Sequence, residues 1–353
     1  MSDISAQLIE RVGAATGPLC IRGAGSKDFY GNASRGEILD ARAHRGIIAY
    51  EPTELFITAR CGTPLAEIEA ALAANNQYLP FEPPRFAPDS TVGGMVAAGL
   101  SGPRRASAGS VRDYVLGVKL LDGAARELTF GGQVMKNVAG YDVSRLIAGS
   151  LGTLGLILEV TLKVLPKPVA EATLRFGMDE AAALRQLNAW GGQPWPIVAS
   201  GWEDGRLTLK LAGARAAVAA AVEKLGAGGT LDAGSYWDDL RDQQASFFAG
   251  DAPLWRLSVP STAPALELPG AQLIEWGGAL RWLKGDAPPA TIRAAAAAAG
   301  GSATLFRAPA AAKAAAGGAF APLPAPLLTL HRRLKDAFDP RGLFNPGRLY
   351  SEL

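Results

Sequence analysis

The chain has 353 residues, room for two or three domains with sizeable cores. A hydrophobic content of 48% with 19% charged residues excludes wholesale disorder, and a net charge of +2 from 35 basic and 33 acidic side chains gives no field for a polyanion, so nucleic acid is not an expected partner. Two cysteines and two histidines (Cys20, Cys61, His44, His331) cannot assemble a four-thiolate iron-sulfur cluster or a Cys/His zinc centre, which puts any metal chemistry on another chain.

The opening residues lack a basic stretch followed by an apolar core, and no 18 apolar residues run together, so a cytoplasmic protein with two unpaired thiols is expected. The spacing of Ile4, Leu8, Val12 and Ala15 predicts a helix over 3–16, and Gly17-Pro18 stops it before a short apolar strand. That strand runs into Arg22-Gly23-Ala24-Gly25-Ser26-Lys27, where two glycines let consecutive N–H groups converge on an anion. A strand over 55–60 and a helix opened by Thr63-Pro64 follow, and then a proline-rich passage leads to a second glycine turn. That turn, Ser90-Thr91-Val92-Gly93-Gly94, reads as a capped helix start suited to phosphate. The stretch from Ser101-Gly102-Pro103 to Gly109, Arg112 and Asp113 has no periodicity and is expected to be an ordered loop. Asp122-Gly123 marks a hairpin between strands 115–121 and 126–130, and a further glycine turn, Gly149 to Gly155, opens the strand 156–165.

Beyond Pro166-Lys167-Pro168 the element order repeats. Strand 170–177, helix 179–190, strands 197–203 and 206–211, helix 213–225 and a short strand near 230 spell βαββαβ. After a helix over 236–248, the order returns as strand 253–259, helix 262–268, strands 271–276 and 279–284, helix 288–299 and strand 302–307. Side by side, the two units make one antiparallel sheet with helices on one face. All seven tryptophans fall in this half and are expected in its core rather than at an exposed interface. Residues 308–322, rich in Ala, Gly and Pro, read as a mobile linker, and a helix carrying His331 closes the chain.

Several glycine turns in one domain suit an extended phosphorylated cofactor, yet Gly23-x-Gly25 lacks the third glycine of the dinucleotide fingerprint and no Gly-Lys-Ser/Thr exists. Five segments carry a more specific likeness: Gly23 to Ser26, Ser90 to Gly94, Lys136-Asn137-Val138-Ala139-Gly140-Tyr141-Asp142, Gly149 to Ile157, and Phe338-Asp339-Pro340 through Asn345-Pro346-Gly347. In this order and spacing they resemble the FAD-binding type-4 (PCMH-type) domain of the vanillyl-alcohol oxidase flavoproteins. Within these, the chain is most similar to the FAD-binding E subunits of bacterial three-component glycolate oxidases.

The resemblance implies an α+β fold. Residues 1–168 would form a PCMH-type FAD domain of two α/β subdomains, 169–307 an antiparallel cap, 308–322 the linker, and 323–353 a tail returning to the FAD domain. It also implies roles: Arg22, Gly23, Ala24, Gly25, Ser26 and Lys27 for the pyrophosphate, and Ser90, Thr91, Val92, Gly93 and Gly94 for the pyrophosphate and isoalloxazine side. Ser101, Gly102, Pro103, Gly109, Arg112 and Asp113 would form the flavin and ribityl wall, and Gly149, Gly152, Gly155 and Ile157 would approach the adenosine. Leu151 stands where many relatives carry an acidic residue, which removes one polar contact. Relatives that attach FAD covalently use a His or a Cys that this chain lacks at the matching turns, so a noncovalent flavin is implied.

No catalytic residue is assigned, and the His-x-His motif of the family's catalytic subunit is absent. The implied function is that of a flavin-carrying subunit in glycolate oxidation, beside a homologous catalytic FAD subunit and an iron-sulfur subunit, reaching the inner membrane only through them. A non-redox scaffold, or an independent oxidase of hydroxy acids or aldonolactones, stands as the alternative.

Overall fold

The computed structural model describes residues 3–132, 142–226 and 230–353. The motif segment Lys136 to Tyr141 therefore lies outside the described residues.

The amino-terminal part is built on a five-stranded sheet in the order Ile47–Glu51, Phe56–Arg60, Leu156–Lys163, Val115–Leu121, Glu127–Gly131, all antiparallel. Leu156–Lys163 sits at its centre. Both of its faces are covered, which is why its sequence is a nearly continuous apolar run instead of an alternation. Leu158 and Val160 share one core with Leu65, Ile68 and Leu72 of the helix Leu65–Ala73 and with Val92, Met95 and Val96 of the helix Val92–Ala98. A small parallel pair, Leu19–Arg22 beside Glu37–Asp40, lies outside this sheet, and Leu8 and Val12 of the helix Ser5–Ala14 are buried in the same core. Thr63 does not cap the following helix: its hydroxyl donates to Arg60 O at 2.7 Å and accepts from Gly46 N at 2.9 Å.

The second half is a single eight-stranded antiparallel sheet. Its order is Thr230–Leu231, Ala170–Gly177, Arg206–Gly213, Ile197–Glu203, Ala271–Glu275, Leu280–Lys284, Leu254–Ser258, Ser302–Arg307. Each run of four has the same internal order, one the reverse of the other, and they join where Trp202 faces Ile274. The helices Glu180–Gly191, Arg215–Leu225 and Pro289–Ala298 bury Leu187, Val218 and Ile292 against one side, the side of Leu207, Leu209, Leu211 and Trp255. The opposite side carries Leu254, Leu273, Leu280 and Trp282 toward the amino-terminal domain, where they meet Tyr30, Ala98 and Leu100.

Further expectations from the sequence give way. The stretch from Ser101 to Asp113 is not a plain loop, since it holds the short helices Arg105–Ala108 and Val111–Tyr114, the second closed by a capping box between Ser110 and Asp113. Residues 262–268 form no helix, because Pro264 interrupts the segment between Pro260 and Pro269 and removes an amide donor. The helix over 236–248 ends at Arg241, with Gln243 at φ 55° breaking the path before the short turn Ser246–Phe248. The stretch 308–322 contains the helix Ala310–Ala315, anchored by a buried Lys313 whose ammonium donates to Phe29 O, to Gly31 O at 3.0 Å and to Phe306 O at 3.3 Å. Four of the tryptophans (Trp237, Trp255, Trp276, Trp282) are buried and the other three half-buried.

Among the described residues no helix is long and apolar enough to cross a membrane, and no group of three His, Cys, Asp or Glu side chains could hold a metal ion. Cys20 and Cys61 are free thiols.

Candidate functional site

The strand Leu19–Arg22 delivers the chain into a turn in which, among the described residues, the N–H groups of Gly23, Ala24, Gly25, Ser26 and Lys27 find no acceptor, whereas those of Asp28 and Tyr30 bond back to Gly25 O and Lys27 O. Five successive unpaired donors at the mouth of a cavity form an anion-binding nest. Gly25 sits at φ 76°, a conformation that costs a side-chain-bearing residue about 1 kcal/mol or more. Gly23 is required for a different reason: a Cβ there would run into Thr91 Oγ1. Lys27 adds charge. Its ammonium donates to Ser90 Oγ at 2.8 Å, to Ser26 Oγ at 3.3 Å and to Arg85 O at 3.4 Å, and burial pushes it down to about 8.

The second turn works by shape instead of by donors. Thr91 caps the helix, accepting from Gly94 N at 3.3 Å, while Val92 N bonds Thr63 O and Gly93 N bonds Cys61 O. The amino-terminal N–H groups of this helix are thus spent within the protein, and the glycines matter because Gly93 lies against Cys61 and Gly94 against Thr91. Burial pushes the Cys61 thiol up to about 12, so it fills space as an inert apolar group.

A second cavity adjoins the first through Ile21, Gly23, Thr91 and Leu151 and continues to Gly93, Gly152, Gly155 and Ile157, so the two form one groove. Leu151, at φ 51°, hands its N–H to Ala97 O and its carbonyl to Asn345 Nδ2 at 2.6 Å. Asn345 also accepts from Ile21 N at 2.8 Å, and Arg348 donates to Lys27 O and Asp28 O at 3.1 Å each. The tail thereby closes the groove. It is held by Lys335, whose ammonium reaches Asp339 Oδ2 at 2.6 Å, Phe344 O at 2.7 Å and Thr153 O at 2.7 Å. Asn345 and Arg348 were not singled out from the sequence, although the Asn-Pro-Gly segment that holds Asn345 was.

Ser101, Gly102 and Pro103 line a separate cleft between the amino-terminal domain and the cap, with Phe86, Arg256, Glu275, Trp282 and Phe306. Ser101 Oγ accepts from Val111 N at 3.1 Å, and Gly102 O accepts the Trp276 indole N–H at 3.0 Å, which ties the cap to this loop. Lys27, over the Phe86 ring at 5.5 Å, stands between groove and cleft. The structure thus brings Arg22 to Lys27, Thr91, Gly93, Gly94, Gly152, Gly155 and Ile157 to the groove, and Ser101 to Pro103 to the cleft. Ser90 contributes through Lys27, and Val92 is buried in the core.

Gly109, Arg112, Asp113 and Gly149 line neither space. Asp113 closes a capping box with Ser110, Arg112 is exposed, and Gly149 abuts Gly99. His44 is buried beside Asp3, and His331 lies edge-on to Tyr350, both away from the groove.

Comparison with known proteins bears directly on this geometry. A family model described as an FAD binding domain matches residues 5–131. Glycolate oxidase subunit GlcE of Escherichia coli K12 is 51% identical over 354 residues, covering 99% of either chain. The chain belongs to the GlcE family. Glycolate oxidase subunit GlcD of Bacillus subtilis is 31% identical over 159 residues, 44% of this chain and 34% of that one. A D-lactate dehydrogenase of Archaeoglobus fulgidus is 35% identical over 109 residues, 31% of this chain and 25% of that one. Among solved structures, alkyldihydroxyacetonephosphate synthase superposes with a TM-score of 0.65 at 15% identity over 97% of this chain and 74% of that one, a likeness of fold. The GlcE-family chain is a flavoprotein of the FAD-dependent oxidoreductases, with an α+β fold and FAD as its cofactor.

Proposed function

We propose that this chain carries one noncovalent FAD in a glycolate-oxidising complex, beside a homologous catalytic FAD subunit and an iron-sulfur subunit. It would stay off the lipid phase except through those partners. The observation that carries the reading is the row of five N–H groups, unpaired among the described residues, with Lys27 at the head of a groove that Gly23, Gly93, Gly94, Gly152 and Gly155 help to keep open. A pyrophosphate is the ligand such a row satisfies.

In this reading Arg22 to Lys27 hold the pyrophosphate, with Thr91, Gly93 and Gly94 shaping the floor beneath it. Gly152, Gly155 and Ile157 offer backbone and an apolar surface to the adenosine, and Ser101 to Pro103 face the isoalloxazine. Bound FAD supplies two-electron, hydride-accepting chemistry. The protein's own part is to bind and orient: Asn345 and Arg348 fix the first turn, and Leu151 with Ala97 lines the groove's middle. Cys20 and Cys61 both border the groove; Cys61 is buried against Gly93 with its thiol pushed up to about 12, which leaves it inert, and in the noncovalent reading Cys20 stays a free thiol. The similarity to GlcE over the whole chain, and to GlcD over its first half, supports the assignment to a glycolate oxidase assembly.

The test is co-expression with the GlcD-like and iron-sulfur subunits and an assay of glycolate-dependent dye reduction. The expected result is a stable assembly with two flavins per pair of homologous subunits, whose activity falls to background when this chain is omitted. Full activity of the other two subunits without it would overturn the proposal.

A further inference from the structure

The last helix, Ala325–Phe338, is covered over only half its length. Of its fourteen residues Lys335 alone is buried. Leu327, Leu330, Leu334 and Phe338 follow one stripe at helical spacing, and the two ends of that stripe differ. Leu334 and Phe338 pack on the amino-terminal core, while Leu327 and Leu330 are 47% and 52% exposed. Among the described residues five large apolar side chains are exposed, and these two stand one turn apart on a single helix face. An amphipathic helix gains by burying its whole stripe, and here the fold buries half of it.

Leu328, on the same open half, lines a hollow of about 450 Å³ together with Phe320, Leu323, Leu349 and Tyr350. The walls of this hollow are fixed. Arg293 donates to Gly318 O at 2.7 Å and to Phe320 O at 3.2 Å, Asn32 Oδ1 accepts from Ala319 N at 2.8 Å, and the Lys313 ammonium is spent on three carbonyls. Among the described residues, no buried side-chain atom left without a partner belongs to its lining, so a small polar ligand would find shape but no anchor. A rigid apolar hollow costs little ordering when a partner's side chain enters it.

The charges around this face are mostly of one sign. Arg332 and Arg333 follow the leucines by one turn, the helix carries its first acid, Asp336, only beyond them, and Arg35 lines the hollow. All three arginines are exposed and take part in no salt bridge among the described residues, against one acidic side chain, Glu352, in the lining. We propose that this face is the docking surface for a partner subunit that presents apolar side chains flanked by carboxylates. Its apolar groups would cover Leu327 and Leu330 and fill the hollow, and its carboxylates would meet Arg35, Arg332 and Arg333. A second copy of this chain fits worse, since a two-fold contact on this patch sets the same arginines against one another. An anionic lipid surface would take the leucines and arginines but leave the hollow empty. The docking face rests on the functional reading above only for the existence of partner subunits.

The tagged full-length chain is co-expressed with the GlcD-like and iron-sulfur subunits, and captured subunit and FAD per chain are measured. In Leu330→Glu, capture of at least one subunit should fall about tenfold or more, and reversing both charges with Arg332→Glu and Arg333→Glu should weaken it likewise. Val169→Glu, at an exposed apolar side chain elsewhere, should capture as the wild type does. FAD per chain and the far-ultraviolet circular dichroism should stay unchanged, because Leu330 and both arginines are exposed. Wild-type capture should also weaken as salt is raised, a readout that needs no variant. Wild-type capture of both subunits, with equal capture in Leu330→Glu, would overturn the docking face alone. A wild-type chain that captures neither subunit would sink the assembly reading and the docking face with it. Flotation of the isolated chain with phosphatidylglycerol vesicles, lost in Leu330→Glu while capture persists, would overturn it in favour of lipid. A dimer of the isolated chain that Leu330→Glu makes monomeric would overturn it in favour of a second copy.

Discussion

Replacing Lys27 by Met separates what this residue does for the fold from what it does for a ligand. The ammonium is half-buried and has no carboxylate within salt-bridge distance among the described residues; its partners are two hydroxyls and a carbonyl. The fall from 10.5 to about 8 corresponds to roughly 3 kcal/mol by which the folded, flavin-free chain pays for the charge at pH 7. A group depressed in this way withholds its full penalty only above the unfolded value near 10.5, and imposes it as the pH falls through about 8. Met keeps the volume and removes the charge. It also removes the bonds to Ser90, Ser26 and Arg85 O, about 1 kcal/mol each, while Ser26 and Ser90 remain bonded to each other at 3.2 Å. The flavin-stripped variant should therefore match the wild type to within about 1 kcal/mol at pH 7 and be less stable by about 2 kcal/mol near pH 10, where the wild-type charge penalty has faded and the lost bonds remain. Its FAD affinity should fall about 10- to 100-fold, as for the loss of one charge-assisted bond to phosphate. Urea unfolding of the stripped proteins and fluorescence titration with FAD measure the two quantities. A variant that is less stable than wild type by more than about 2 kcal/mol at pH 7 when stripped, yet binds FAD within twofold, would refute the reasoning.

Other positions carry their own tests. Gly23→Val drives a side chain into Thr91 Oγ1 and should abolish flavin uptake while the far-ultraviolet circular dichroism stays native. Asn345→Ala strands Ile21 N and Leu151 O, at about 1 to 3 kcal/mol each, and should lower the urea midpoint and loosen FAD together. Asp339→Ala leaves the Lys335 ammonium without its counter-ion and frees Leu343 N and Phe344 N, so a loss of about 3 to 5 kcal/mol is expected by chemical unfolding. A native-state thiol assay should count at most one reactive cysteine, Cys20, and find two only after unfolding, because Cys61 is buried and its thiol is pushed up to about 12.

The parts of this molecule that were legible in the sequence are those dictated locally. A glycine turn after a strand, Thr91 before a small-residue helix, and the repeated order of the strands follow from backbone conformation and side-chain period, and they reappear at Gly23 to Lys27, at Val92–Ala98 and in the eight-stranded sheet, although the second unit lacks the helix expected over 262–268. What was not legible depends on partners distant in the chain. Nothing near Lys313 announces that its ammonium would reach Phe29 O and Gly31 O, so an Ala/Gly/Pro composition read as mobile. The donors of the Thr91 turn looked available for phosphate, and only the approach of Cys61 and Thr63 shows them spent. Arg256 and Glu275 sit inside strands whose alternation reads as ordinary sheet, and their convergence on one cleft needs the pairing of Leu254–Ser258 and Ala271–Glu275 through the strand Leu280–Lys284. A charged residue on the inward-facing side of such a strand is the signal that could have been followed.

The most direct measurement is the flavin content of the purified, acid-precipitated chain. The supernatant should contain about one FAD per polypeptide and the pellet none, as a noncovalent site at the Gly23 to Lys27 nest requires. A colourless protein that also fails to take up added FAD would contradict the account, and flavin retained in the pellet would contradict its noncovalent attachment.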